Sequence, residues 1–333
     1  MPPFRLLRFL RLPLMPAQSR WLIYPLLLAA AAYNLGPRLL HAGPNNGFDL
    51  AHALVPADAI QEGGPPRDGI PALDRPRFVA AAGADFLDDT DRVLGVSRNG
   101  VIKAYPIRIL DYHEIVNDTF GGEAIVVTYC PLCGTGMAFL ADVDGKPHRF
   151  GVSGLLFNSD VLLYDRETES LWSQLRKQAV TGSLRGATLT QIPMIQTTWR
   201  NWRQQHAETL VLSRNTGYHR DYRRSPYGDY ATSRRLFFPV SRLDRRYHPK
   251  ERVVGVEIDG HFKAYPFAEL SGLANSELSD RIGAKTIRLQ FDVTDRSAEV
   301  FDTEGKLLAS TIGYWFAWMT FHPDSEVFQA PHG

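Results

Sequence analysis

The sequence has few cysteines and almost no net charge. Its 333 residues include two cysteines, 37 lysines and arginines, and 36 aspartates and glutamates. A chain so evenly balanced lacks the basic field that attracts nucleic acid, so no nucleic-acid partner is expected. Hydrophobic residues make up 44% and charged residues 22% of the chain, which excludes a disordered or polytopic membrane protein and predicts a folded body.

Familiar catalytic motifs are also missing from the sequence. It contains no Walker A loop, no G-x-G-x-x-G fingerprint and no H-E-x-x-H zinc helix. The segment Gly151-Val-Ser-Gly154 lacks the G-x-S-x-G spacing of a nucleophile elbow. The sequence therefore leaves open whether the protein is an enzyme.

The N-terminal segment predicts export. Arginines at positions 5, 8, 11 and 20 precede an uncharged run from Trp21 to Pro37. Residues 1–40 are therefore interpreted as a signal peptide or a membrane anchor, with a buried helix as the remaining alternative. We expect an extracytoplasmic protein, in the periplasm or on the outer face of the inner membrane, that contacts the membrane through this segment if it is uncleaved. Residues 41–90, rich in proline and glycine, predict a linker.

Two stretches of the body are similar to each other. Residues 92–110 align without gaps on residues 252–270, and each contains a turn dipeptide, Asn99-Gly100 or Asp259-Gly260, between two β-rich runs. This pattern predicts two β-hairpins, each followed at Pro106 or Pro266 by a short helix. We interpret the body as an internal duplication, with a first repeat at 91–240 and a second at 241–333.

A Trp-x-x-Trp-x-x-x-His pattern follows each hairpin, at 199–206 and at 315–322. The spacing places these aromatic residues on one face of a helix and favours a role in the core, with Thr197 or Thr198 as the first N-cap. Between the first hairpin and its helix lies a longer insert, in which strands are predicted at 124–129, 137–140, 148–152, 161–164 and 171–174. The expected fold class is α+β, mainly antiparallel β, with the hairpin-plus-helix repeats packed as one globule.

The two cysteines form a C-x-x-C motif, Cys130-Pro-Leu-Cys133, followed by Gly134. Three interpretations compete. A disulfide across so short a loop adds only about 2 kcal/mol. A dithiol redox centre resembles thioredoxin in spacing, although the glycines after Cys133 are poor helix formers. A metal-binding knuckle supplies two thiolates, and its remaining ligands must come from elsewhere in the chain.

Met137, His113 and His148 are the nearest further candidate ligands in the sequence. A set of thiolate, thioether and imidazole donors suits copper(I), whereas cysteine and histidine alone suit zinc. The sequence therefore predicts copper or zinc if the cysteines bind a metal.

The segment after the cysteines is dense in polar side chains that can line a pocket. The candidate pocket residues are Ser153, Asn158, Ser159, Asp160, Asp165, Trp172 and Gln174. Ordinary turn chemistry is the competing explanation for most of them. A second polar segment, residues 216–230, combines tyrosines and arginines that suit an anion, a carbohydrate or a simple surface loop.

Four blocks of the sequence, at 129–134, 150–159, 164–174 and 216–218, resemble the family called domain of unknown function 3179. The resemblance implies an exported, mostly bacterial protein, and it carries over no catalytic residues. It also implies that the cysteine motif and the polar block belong together.

The leading hypothesis is an extracytoplasmic protein in which Cys130 and Cys133 form a thiophilic metal site or a dithiol redox centre beside a polar pocket. One rival is a small-molecule enzyme that uses the pocket at 153–174 and in which the cysteines form a structural disulfide. The other rival is a binding module without catalysis.

Overall fold

The computed structural model describes residues 44–331. The predicted signal peptide or anchor lies outside these residues. The first half of the described chain contains the strands β1 (Ile60–Glu62), β2 (Phe78–Ala80), β3 (Arg92–Arg98), β4 (Val101–Pro106), β5 (Ile115–Phe120), β6 (Glu123–Cys130), β7 (Thr135–Leu140), β8 (Asp142–Val143), β9 (Lys146–Pro147), β10 (Phe150–Phe157), β11 (Asp160–Asp165), β12 (Leu171–Ser173) and β13 (Gln178–Ala179).

The second half contains β14 (Gln191–Ile192), β15 (Ile195–Thr198), β16 (Leu210–Leu212), β17 (Arg252–Ile258), β18 (His261–Pro266), β19 (Glu277–Ile282), β20 (Lys285–Asp292), β21 (Ser297–Phe301), β22 (Leu307–Leu308), β23 (Thr311–Tyr314) and β24 (Glu326–Val327). The α-helices are α1 (Ile107–Leu110), α2 (Trp199–Gln205), α3 (Phe267–Leu270) and α4 (Trp315–Phe321). Short 3₁₀ segments lie at Pro44–Gly47, Ala57–Ala59 and Ala81–Gly83. Within residues 44–331, no helix is long and apolar enough to cross a bilayer.

The strands form five small sheets and one two-stranded ribbon, β8-β9. Sheet I has the order β15-β3-β4-β16-β2, sheet II β14-β7-β6-β5, sheet III β1-β10-β11-β12-β13, sheet IV β23-β17-β18-β24 and sheet V β19-β20-β21-β22. The five sheets are arranged in a ring that resembles a five-bladed β-propeller.

Packing between successive sheets closes the ring. One apolar cluster lies between sheets I and II, another between II and III, and a third between IV and V. Sheets III and IV are joined by the ion pair Lys177–Glu257. Sheets V and I meet where β15 lies beside β21, with Arg200 and Asp295 3.0 Å apart.

The expected α+β class is therefore wrong. Strands account for 39% of residues 44–331 and helices, including the 3₁₀ segments, for 11%, and the α-helices there are only four or seven residues long. The physical reason lies in the burial of the sheets. Every residue of β10 and β11 is buried, so this part of the sheet needs a packing partner on both faces. Neighbouring sheets in a ring supply those partners, whereas the short helices do not form a layer of their own.

Both predicted hairpins are present. β3 pairs with β4 and β17 with β18, in registers that match position for position. The turn residues Asn99, Gly100, Asp259 and Gly260 all have positive φ, as the dipeptides predict. In both hairpins a fully buried tyrosine, Tyr105 or Tyr265, donates a hydrogen bond to an aspartate on the following strand.

The tryptophan pattern predicts two helices, and both are present as α2 and α4, which pack on these hairpins. Thr198 caps α2 by accepting a hydrogen bond from Asn201 N. A Cβ atom on Gly95 would lie 2.3 Å from the Trp202 ring, and one on Gly255 would lie 2.1 Å from the Trp318 ring. Only glycine admits such close packing at these two positions, so the hairpin and its helix are matched in shape.

The predicted strands of the insert correspond to β6, β7, β10, β11 and β12. β10, β11 and β12 build sheet III, which packs against the cysteine-bearing sheet II. Residues 44–90 contain only β1, β2 and short 3₁₀ segments. Both strands join the ring, since β1 pairs with β10 and β2 with β16.

Candidate metal centre

The C-x-x-C motif connects two neighbouring strands of sheet II. β6 ends at Cys130, the chain turns through Pro131–Gly134, and Thr135 pairs with Cys130 as β7 begins. Gly134 has a φ of +63°, and a Cβ atom there would lie 2.8 Å from the Tyr314 ring. The turn therefore requires glycine, which lets β23 pack directly on the cysteine motif.

A second hairpin turn brings a carboxylate to the two thiols. Asn158 and Ser159 connect β10 to β11, and both have positive φ, at +53° and +65°. This tight turn places Asp160, the first residue of β11, next to Cys130 and Cys133. The two sulfur atoms are 3.6 Å apart. One ligand atom from each of the three residues lies within 4.8 Å of the others, and all three side chains are buried.

Backbone groups hold this cluster in place. The carbonyl oxygen of Ser159 accepts from Cys133 Sγ at 3.4 Å and lies 3.8 Å from Cys130 Sγ. The amide of Leu175 donates to Asp160 Oδ2 at 3.0 Å. Asp160 Oδ1 is buried and has no hydrogen-bond partner among residues 44–331. A buried carboxylate oxygen without a partner is costly, so this atom is available to a ligand.

Burial favours the protonated forms of all three groups when no cation is bound. It raises the pKa of the Cys130 thiol and raises that of Cys133 well above its usual value. It also raises the pKa of Asp160 to about 7, against the opposing effect of the Leu175 amide. Thiols in this state are weak nucleophiles, because the thiolate is the reactive form. A bound cation would favour ionisation of all three groups.

The long irregular segment between β16 and β17 covers the cluster. It contributes Tyr230, whose buried hydroxyl has no hydrogen-bond partner among residues 44–331. Lys250, near the end of the segment, is 4% exposed, and its Nζ lies 3.7 Å from the centre of the Tyr230 ring. The Lys250 ammonium donates to the carbonyl of Arg235 at 2.9 Å. Burial lowers its pKa to about 8, and the neighbouring Cys133 opposes that shift.

A further carboxyl group lies close to the cysteines. Glu114 has a φ of +57° and is buried where α1 leads into β5. Burial raises its pKa to about 8, and Tyr227 OH donates to Glu114 Oε1 at 3.3 Å. Neither Lys250 nor Glu114 was expected at the site from the sequence. Neither residue belongs to a motif, and only the fold brings them near Cys130 and Cys133.

The predicted histidine ligands lie elsewhere. His113 Nδ1 is bonded to the Pro71 carbonyl at 2.8 Å, and its Nε2 to Tyr222 OH at 2.7 Å. His148 Nδ1 is bonded to the Lys146 carbonyl at 2.9 Å. Neither histidine belongs to the group formed by Cys130, Cys133 and Asp160. Met137 is buried on β7, in the same apolar cluster as the cysteines.

The candidate pocket residues have several different environments. Asp160 and Ser159 lie at the cysteines, and Asn158 Oδ1 accepts from Ser241 N in the covering segment. Gln174 joins Thr128 to Thr135 beside the cysteine turn, through bonds of 2.8 and 2.7 Å.

The other three candidates bond within sheet III. Ser153 Oγ donates to the Leu162 carbonyl. Trp172 Nε1 donates to Asp165 Oδ2 at 2.9 Å. These side chains are buried and satisfied, as expected of groups that stabilise the sheet.

Together these features define a class, a ring of small, mainly antiparallel sheets in which two cysteines and one aspartate are buried side by side. The family model described as protein of unknown function (DUF3179) matches residues 67–325, and the chain belongs to that family. Comparisons with curated proteins and with solved structures found no match.

Proposed function

We propose that the protein is a zinc-binding protein of the cell envelope, with Cys130, Cys133 and Asp160 as the zinc ligands. One observation carries the proposal. Three donor atoms from two separate hairpins converge within 4.8 Å at a fully buried place, and one of the carboxylate oxygens there has no partner among the described residues.

The donor set and its spacing favour zinc over copper. Zn–S bonds of about 2.3 Å in a tetrahedral site place two sulfurs about 3.8 Å apart. The sulfurs of Cys130 and Cys133 are 3.6 Å apart. Two thiolates with a carboxylate suit zinc, whereas copper(I) prefers soft donors alone. Three protein ligands leave a fourth position for water or a substrate, as in catalytic zinc sites.

The experiment is metal analysis of the full-length protein, purified from the cell envelope without chelators. We expect about one zinc per chain in the wild type. Cys130→Ser with Cys133→Ser, and separately Asp160→Asn, should retain less than a tenth of that amount. His148→Gln is the matched control, because this residue is a candidate ligand by sequence but bonds elsewhere. Wild-type protein that stays metal-free in zinc-supplemented medium would contradict the proposal, as would full occupancy in the variants.

The proposed location outside the cytoplasm rests on the arginine-rich leader and the uncharged run at 21–37. An alkaline phosphatase fusion after residue 45 should be active, since that enzyme folds only where its disulfides form. An inactive fusion, with an active cytoplasmic reporter at the same site, would show that the body stays inside the cell.

A dithiol redox centre is the second candidate, favoured by the 3.6 Å between the sulfurs. The raised thiol pKa values argue against it, because they reduce the reactive thiolate. The two candidates differ in what purification yields. A redox centre predicts a metal-free protein with two alkylatable thiols in the reduced form and none in the oxidised form, and reversible interconversion of the two forms. A zinc site predicts thiols that resist alkylation until a chelator removes the metal.

A further inference from the structure

A solvent-open cleft of about 850 Å³ lies between residues 79–86 and residues 213–223. Its walls include Phe86, Arg214, Tyr218, Arg220 and Tyr222, and none of its lining residues is a proposed metal ligand. The cleft is therefore a candidate binding site separate from the proposed metal centre.

Two arginines in this cleft lack an acidic partner. The guanidinium of Arg214 lies over the Phe86 ring, 4.9 Å from its centre, and Arg220 donates to the neighbouring His219 carbonyl at 3.0 Å. Neither forms an ion pair with a carboxylate among residues 44–331. Arg223, by contrast, is 3.0 Å from Asp221. Guanidinium groups without a carboxylate partner suit carboxylates and phosphates, which they bind with two parallel hydrogen bonds.

The lining carries a small positive excess. Arginines at positions 214, 220 and 223 face aspartates at positions 85 and 221, so three positive charges oppose two negative ones, with histidine neutral. Asp221 is already occupied by Arg223. An anion entering the cleft would therefore meet two available guanidinium groups and one available carboxylate.

Hydrogen bonds to the core fix the walls of the cleft. The Tyr222 ring is 5% exposed, and its hydroxyl is bonded to His113 Nε2 at 2.7 Å and to Thr216 Oγ1 at 2.6 Å. Tyr112 OH donates to the carbonyls of Asp221 at 3.1 Å and Arg224 at 2.8 Å. A loop held in this way does not have to be ordered when a ligand binds, which lowers the entropic cost of binding.

An exposed aromatic ring completes the cleft. Tyr218 is 44% exposed, and its ring centre lies 5.4 Å from that of the buried His113. Large aromatic side chains that stay exposed beside polar groups provide a flat surface on which a ring can stack.

We propose that this cleft binds a small ligand in which a carboxylate or phosphate ester is attached to a flat ring. Arg214 and Arg220 bind the anionic group, and Tyr218 stacks on the ring. Binding at this site does not depend on the metal centre.

The test is calorimetric titration of the full-length protein with phenyl phosphate, benzoate, inorganic phosphate and phenol. Phenyl phosphate or benzoate should bind, inorganic phosphate should bind at least tenfold more weakly, and phenol should not bind at millimolar concentration. Preference for phenyl phosphate or for benzoate identifies the anionic group. The variant with both cysteines replaced by serine should bind these probes as the wild type does, which separates this proposal from the metal centre.

Variants test the assigned roles. Arg214→Gln and Arg220→Gln should each weaken binding about tenfold. Tyr218→Ala should weaken the binding of phenyl phosphate but leave the binding of inorganic phosphate unchanged. Arg281→Gln is the control, because Arg281 is exposed on β19 and has no ion pair within the described chain. The proposal is overturned if neither ring-bearing anion binds at millimolar concentration, or if Arg281→Gln weakens binding as much as the cleft variants do.

Discussion

Lys250 is a buried amine near the proposed metal centre, since the interaction with Cys133 opposes the fall in its pKa that burial causes. Zinc with two thiolates and one carboxylate carries a net charge of −1, because three negative ligands outweigh the +2 of the ion. An adjacent ammonium compensates that charge in a medium where water cannot screen it.

Replacement of Lys250 should therefore weaken zinc binding. We expect Lys250→Met to lower the zinc affinity of the intact protein on the order of tenfold, with the cysteine and aspartate ligands unchanged. Competition with a chromophoric chelator measures the affinity. Lys177→Met is the control, because the ammonium of Lys177 already forms an ion pair with Glu257. Equal affinities in wild type and Lys250→Met would show that the amine has no electrostatic role.

His113 gives the protein a pH-dependent stability. Burial lowers its pKa to about 4, partly offset by the hydrogen bond to Pro71. An unfolded histidine titrates near pH 6.5, so between pH 6.5 and 4 the unfolded chain takes up a proton that the native state does not bind. His113 therefore destabilises the native state as the pH falls through this range, by about 2 kcal/mol at pH 5.

The variant His113→Gln lacks this titration. Its melting temperature should lie below that of the wild type at pH 7.5, and the difference should shrink by about 4 °C at pH 5. Differential scanning calorimetry at both pH values measures the change. A difference that is constant with pH would mean that His113 takes up its proton equally in both states.

At the scale of elements, the contact between hairpin and helix determines stability. Gly255 on β17 lies under the Trp318 ring of α4, where a methyl group would be 2.1 Å from ring atoms. The ring is held by its Nε1 bond to Ser325 Oγ at 2.9 Å, so it cannot move aside without losing that bond.

Gly255→Ala should therefore destabilise the protein by about 3 kcal/mol, which lowers the melting temperature by roughly 5 °C. Gly83→Ala is the control, since a Cβ atom there would lie 3.5 Å from its nearest neighbour and its φ is not positive. Thermal unfolding of both variants checks the prediction. A stable Gly255→Ala protein would show that α4 can shift on its sheet.

Element-level features were the part of the fold most readily predicted from the sequence. Asn99-Gly100 and Asp259-Gly260 predicted the hairpins because their φ angles depend on neighbouring residues alone. The strands of the insert were likewise predicted from local patterns of residues. The ring of sheets was not predicted, because it depends on packing of the buried faces of β10 and β11 against residues that are distant in sequence.

At the scale of the whole molecule, the proposed metal centre joins three of the five sheets. Cys130 belongs to sheet II, Asp160 to sheet III, and the backbone of Cys133 accepts from Tyr314 N of sheet IV at 2.8 Å. An ion bound here would add a direct link between the cysteine turn of sheet II and the first residue of β11 in sheet III.

Zinc should therefore stabilise the entire fold. At a free zinc concentration 100 times the dissociation constant, the expected gain is about 2.7 kcal/mol, or roughly 4 °C in melting temperature. Thermal unfolding of the stripped protein, with and without zinc, measures this gain. The double variant Cys130→Ser, Cys133→Ser should show no gain. A gain that persists in that variant would place the zinc elsewhere on the chain.

The sequence by itself determined the hairpins, the tryptophan helices and the position of Cys130 and Cys133 beside a strand end, because each depends on residues within about twenty positions of one another. Only the tertiary structure decided which side chains join the cysteines. It brings Asp160 to them through the turn at Asn158-Ser159 and keeps His113 and His148 away. Long-range packing makes that choice, and the spacing of residues along a chain contains no information about which distant surfaces will meet.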